Sequence, residues 1–76
     1  MNLHWTAFAI RVVEPNGTDL VLTITDAGTV RRVLPATGTD VPLVDEHYQP
    51  ITSAPLRSAA DAMALVERVR MKLLTH

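Results

Sequence analysis

Three alternating apolar segments followed by one helix-periodic segment predict an α+β domain. The expected architecture is a three-stranded antiparallel meander, with room for a short fourth edge strand, packed on one C-terminal helix in the order β-β-β-loop-α. Three observations carry this. Residues His4–Val13, Leu20–Thr25 and Thr29–Leu34 alternate with the period of a pleated strand. Residues 59–74 contain neither Gly nor Pro and repeat apolar positions with the period of a helix. The 76 residues are 47% hydrophobic and 20% charged, which describes one small core and a single domain over 1–76.

The first strand places His4, Thr6, Phe8, Ile10 and Val12 on one side and Trp5, Ala7, Ala9, Arg11 and Val13 on the other. The first set is the better core face. Glu14-Pro15-Asn16-Gly17-Thr18-Asp19 then supplies a turn: Pro15 presets a turn backbone angle, and Asn16 and Gly17 accept positive φ. In the second strand Leu20, Leu22 and Ile24 face the core, while Val21, Thr23 and Thr25 suit a half-exposed pleated surface. Asp26-Ala27-Gly28 connects tightly to the third strand, whose pattern is interrupted by Arg31 and Arg32.

Four of the five prolines, Pro35, Pro42, Pro50 and Pro55, fall between residues 35 and 55, so a long connection is expected there. Apolar clusters at Val41–Val44 and at Tyr48 and Ile51 tack it to the body, with an edge strand the natural place for a proline. Ser58-Ala59-Ala60-Asp61 has the form of a capping box, with the Ser58 hydroxyl accepting a backbone amide and Asp61 reaching back. On the helical wheel Ala59, Ala62, Met63, Val66, Val69 and Leu73 share the core stripe, opposite Asp61, Arg68 and Lys72. Arg70 lies at the edge of the stripe, with Glu67 three residues earlier as its expected partner. Met71, Ala60 and Ala64 form a second, weakly apolar flank.

The absence of cysteine excludes disulfides, thiolate metal sites and a cysteine nucleophile. No run reaches the roughly 18 apolar residues of a membrane span. Met1-Asn2-Leu3-His4-Trp5 has none of the parts of a secretory signal, so a cytoplasmic protein with no membrane partner is expected. Six of the seven basic residues are Arg, a usage that suggests a GC-rich bacterial or phage gene. The densest polar cluster, Asp45-Glu46-His47, has no H-x-x-x-H or E-x-x-H spacing to make ligands converge and reads as a solvated acidic turn. Ser53 and Ser58, with His4, His47 or His76 as base, sit in no G-x-S-x-G elbow. Gly17, Gly28 and Gly38 are isolated and form no phosphate loop. The expectation is a protein with no catalytic step, no metal and no cofactor.

What remains is a second sheet face that is unusually apolar. A sheet covered by one helix normally turns a polar face to water. Here Trp5, Ala7, Ala9, Arg11, Val21, Thr23, Arg31 and Arg32, with Val13 and Val33 between them, are expected on the uncovered side. Such a patch marks a protein contact, so a partner protein or a second copy (a homodimer) is expected there, as for a mobile-element inhibitor or an accessory subunit. The other cover is the 35–55 loop, folded back as a lid through Val41, Leu43, Val44 and Tyr48. A second function class is nucleic-acid binding by Arg11, Arg31 and Arg32, with Trp5 available to stack on bases. Eight acidic residues against seven basic ones weigh against it. The simpler expectation for the consecutive arginines is that one faces solvent while the other pairs with a carboxylate or lays its stem along the sheet edge.

Overall fold

The structure, a computed structural model, describes residues 2–15, 19–34 and 36–74, with the side chains of 73 and 74 left aside. The expected turn at Asn16, Gly17 and Thr18, the Leu73 side chain, Pro35 and His76 lie outside the described residues. Five strands, β1 (Asn2–Thr6), β2 (Ala9–Val13), β3 (Asp19–Ile24), β4 (Val30–Leu34) and β5 (Thr39–Pro42), are followed by one helix, α1 (Ala59–Leu74). The sheet is an antiparallel meander in the order β1-β2-β3-β4-β5. The α+β class is as expected, and the sheet has two strands beyond the three-stranded meander for two reasons, one of them the short edge strand for which the sequence left room.

The first is that His4–Val13 is two strands, not one. The chain reverses at Ala7-Phe8, pairing Thr6 with Ala9, Trp5 with Ile10 and Leu3 with Val12. Neither turn residue has positive φ, so the reversal needs no Gly or Asn and left no such signal. Two backbone bonds and one to a side chain seat it: Ile24 N–H donates to Phe8 O at 2.8 Å, Leu56 N–H to Ala7 O at 2.9 Å, and Phe8 N–H to Thr6 Oγ1 at 3.4 Å. The second reason is β5, the short edge strand that Val41 and Pro42 allow, paired through Arg32 with Val41 and Leu34 with Thr39.

Directly opposed residues of an antiparallel pair share a face. The register therefore gives a helix-side row Trp5, Ile10, Leu22, Arg32 and Val41, and beside it Leu3, Val12 and Leu20. The core comprises Ile10, Val12, Leu20, Leu22, Ile24 and Val30 from the sheet and Ala62, Leu65, Val66 and Val69 from α1. These four helix positions are the i, i+3, i+4, i+7 stripe of an amphipathic helix. Relative to expectation the stripe gains Leu65, leaves Met63 half-buried and exposes Ala59. Burying Leu65, Val66 and Val69 contributes on the order of 2 kcal/mol each. Phe8, expected in the core, is 45% exposed at the β1–β2 turn, because the reversal takes it out of the ladder.

The 43–57 segment is ordered against the helix side. Leu43, Ile51 and Leu56 complete the core, and three bonds fix the path: Val30 N–H to Ile51 O (2.8 Å), Ile51 N–H to Leu43 O (3.0 Å) and Ser53 N–H to Gly28 O (2.9 Å). It is therefore not a lid over the other face; Leu43 is buried beneath the helix side and Tyr48 is 82% exposed. Gly28 is required at its turn, with φ +82° and Ser53 O only 3.2 Å from where a Cβ would stand. At the start of α1 Asp61 N–H donates to Ser58 Oγ (3.1 Å), as a capping box demands. The return bond reaches one residue further out, from Arg57 N–H to Asp61 Oδ2 at 3.1 Å. Arg70 pairs with Glu14 next to the β2–β3 connection rather than with Glu67, because the fold brings that connection alongside the C-terminal half of α1.

Candidate interaction face

The uncovered face is built by the residues between the core rows. One row crosses the whole sheet as His4, Arg11, Val21, Val33 and Asp40; the next runs Thr6, Ala9, Thr23, Arg31 and Pro42. Ala9, Val13, Val21, Thr23 and Val33 are half-buried by one another, and the single helix lies on the opposite side. A shallow depression of about 230 Å³ opens here among His4, Thr6, Ala9, Arg11 and Val21, with Trp5 and Ile10 between them in the strands.

Of the residues expected on this face, Ala9, Arg11, Val21, Thr23 and Arg31 are brought together in two adjacent rows. Three are not. Trp5 opposes Ile10 and so belongs to the helix-side face, where it remains 38% exposed at the sheet margin. Arg32 opposes Leu22 and Val41 on the same side, half-buried, with its Nε buried and without a hydrogen-bond partner among the described residues. Ala7 is in the β1–β2 turn, its carbonyl engaged by Leu56 N–H. Trp5 moved because a two-residue reversal shifts the alternation: positions 5 and 10 are opposed, whereas in an unbroken strand odd and even positions are on opposite faces. His4 and Thr6, expected on the core side with Ile10 and Val12, stand instead on this face, exposed, because the same reversal shifts the alternation of β1; Pro42 and Asp40 also join it and were not singled out, since the register that places them is a tertiary property.

Both arginines of the face are held by carboxylates. Arg11 donates from Nε (3.0 Å) and Nη2 (2.6 Å) to Asp19 Oδ2. Arg31 Nε lies 3.3 Å from Asp40 Oδ2, with a long bond from Nη2 to Asp40 O. Exposed pairs of this kind add only about 0–1 kcal/mol to stability, but they cancel charge locally. The face thus interleaves half-buried Ala9, Val13, Val21 and Val33 with two ion pairs, Arg11–Asp19 and Arg31–Asp40.

The Asp45-Glu46-His47 cluster is used structurally. Asp45 Oδ1 accepts from His47 N–H (2.8 Å) and Gln49 N–H (3.0 Å), and Asp45 O accepts from Tyr48 N–H, closing a turn in which Tyr48 takes φ +60°. The Gln49 amide holds the Asp45 carboxyl below its ordinary range, with the His47 amide and the Lys72 charge adding to it against desolvation. Glu46 Oε2 accepts from Lys72 Nζ at 2.9 Å, and this bond lowers the Glu46 pKa. Among the described residues no group of three His, Asp or Glu could hold a metal ion. Ser58 Oγ accepts the helix-cap bond from Asp61 N–H, and Ser53 Oγ donates to Ala54 O. No helix of the described residues is long and apolar enough to cross a membrane.

The chain matches no protein-family model, no curated protein and no solved structure.

Proposed function

We propose that this protein is a small non-catalytic interaction module that binds another protein through the uncovered sheet face. The observation that carries the reading is the asymmetry of a five-stranded sheet with one helix on one side and, on the other, the half-buried side chains of Ala9, Val13, Val21, Thr23 and Val33 with no second layer over them among the described residues. A half-buried surface in which apolar side chains stand among arginines is suited to a protein contact, where Arg is enriched. Arg11 and Arg31 suit such a surface, since each is pre-oriented by its aspartate and can share its remaining N–H groups with an incoming acceptor. The same pairing weighs against the nucleic-acid reading, because a cation matched by a carboxylate releases fewer phosphate counterions. Arg32, the third basic residue of that reading, is on the other face.

The test uses the intact chain as bait in lysate of its source cell, beside Val21→Asp and Ala9→Asp variants whose circular dichroism is native. The reading expects a specific protein retained by the wild type and lost by both variants. Retention of the same proteins by all three baits would overturn it.

A further inference from the structure

The two edges of the sheet are not equivalent. β5 carries Asp40 and Pro42 in four residues, a charge and a residue without an N–H, which are common guards against pairing with a further strand. β1, Asn-Leu-His-Trp-Thr, has neither Pro nor any Asp, Glu, Lys or Arg.

The hydrogen-bond phase of β1 follows from its neighbours. Ile24 N–H donates to Phe8 O, so the even residues of β2 bond toward β3 and the odd ones, Ala9, Arg11 and Val13, bond toward β1. Their partners Thr6, His4 and Asn2 are therefore turned inward, and the N–H and C=O groups of Leu3 and Trp5 point away from the sheet. The next outward carbonyl, Ala7 O, is taken by Leu56 N–H. Among the described residues no backbone bond from another segment reaches Leu3 or Trp5. Their side chains are also unfinished: Trp5 is 38% exposed and Leu3 only partly buried against the core.

We propose that β1 is a dimerisation edge, pairing antiparallel with β1 of a second copy about a two-fold axis at His4. The strand is self-complementary in this register. Leu3 and Trp5 flank His4 symmetrically, so Leu3 stands opposite the partner's Trp5, and each such couple exchanges both its N–H···O=C bonds. On the helix side the indole meets an aliphatic partner, extending the row of core residues across the axis. On the open side Asn2 stands opposite the partner's Thr6, and His4 opposite the partner's His4. Arg11, the charged neighbour of His4 on β2, is already engaged by Asp19. The assembly is a continuous ten-stranded sheet with both helices on one side and the two open faces joined on the other. It does not rest on the open face binding a protein.

The experiment is sedimentation equilibrium of the full chain from about 1 μM to about 1 mM, with Leu3→Pro and Val21→Asp variants. Proline at position 3 removes an outward N–H and leaves the β1–β2 ladder intact. A mass rising to twice 8.3 kDa is expected for the wild type and for Val21→Asp, with at least tenfold weaker association for Leu3→Pro. Should Leu3→Pro fail to fold, amide exchange of the wild type decides: Leu3 and Trp5 amides become protected as concentration rises. A monomer throughout, an assembly larger than a dimer, a dimer lost with Val21→Asp and kept with Leu3→Pro, or Leu3 and Trp5 amides unprotected at high concentration would each overturn the proposal.

Discussion

One sheet, two faces, and the same residue types do different work on each. Leu20, Leu22 and Ile24 alternate along β3 with Val21 and Thr23, yet the first set is buried beneath α1 while the second is only half-covered by its neighbours. What separates them is the helix: Ala62, Leu65, Val66 and Val69 close one side, and Leu43, Ile51 and Leu56 extend that closure around its edge. A hydrophobic position is a core position only where a second layer reaches it. Where none does, the same chemistry is available to a partner.

The largest expected effect is on the covered face. Leu22→Ala removes a fully buried side chain and should cost about 2–5 kcal/mol, read from urea unfolding. Val21→Ala, one residue away, should cost less than about 1 kcal/mol, since its site is half-open. Equal losses would mean that the two faces are equally packed. Backbone support of the covered side comes next. Gly28→Ala must hold φ +82° with a Cβ close to Ser53 O, and should lose about 1–3 kcal/mol. Ser58→Ala removes the helix cap and should lose ~1 kcal/mol, with helix-end amides exchanging faster. On the open face Arg11→Ala should change stability by no more than about 1 kcal/mol, because its pair with Asp19 is exposed.

A pH effect sharpens the comparison further, since the covered side has a titratable latch. The Asp45 and Glu46 carboxyls titrate lower in the folded protein than in the unfolded chain. The stability they contribute is therefore present above the ordinary carboxylate range and lost as pH falls through their folded values. Amides of residues 44–49 should lose exchange protection on acidification before those of β3, and Lys72→Ala should reduce the Glu46 share at neutral pH. Simultaneous loss in both regions would show that the turn is not a separate latch.

Much of this was legible in the residues. The β3 alternation, the Ser58-to-Asp61 cap, the uninterrupted helix and the edge position of Pro42 are local: each depends on neighbours within one or two turns of chain. The reversal at Ala7-Phe8 was also written there, though faintly. Folding Leu3 onto Val12 and Trp5 onto Ile10 matches apolar with apolar, and folding His4 onto Arg11 matches polar with polar. No turn-favouring residue announced it, so alternation alone ran straight through.

By itself, then, the sequence determined the α+β class, the helix and its cap, the core set of β3 and the absence of any spaced ligand or nucleophile motif, because periodicity and capping act over short range. Only the tertiary structure decided which face Trp5 joins, that Arg11 and Arg31 are matched by Asp19 and Asp40, that Glu14 rather than Glu67 holds Arg70, and that the 43–57 segment closes the core instead of covering the open face. Those outcomes depend on register and on loop direction. A strand shifted by one residue reverses every side chain it carries, and nothing local distinguishes the two settings until the second layer is in place.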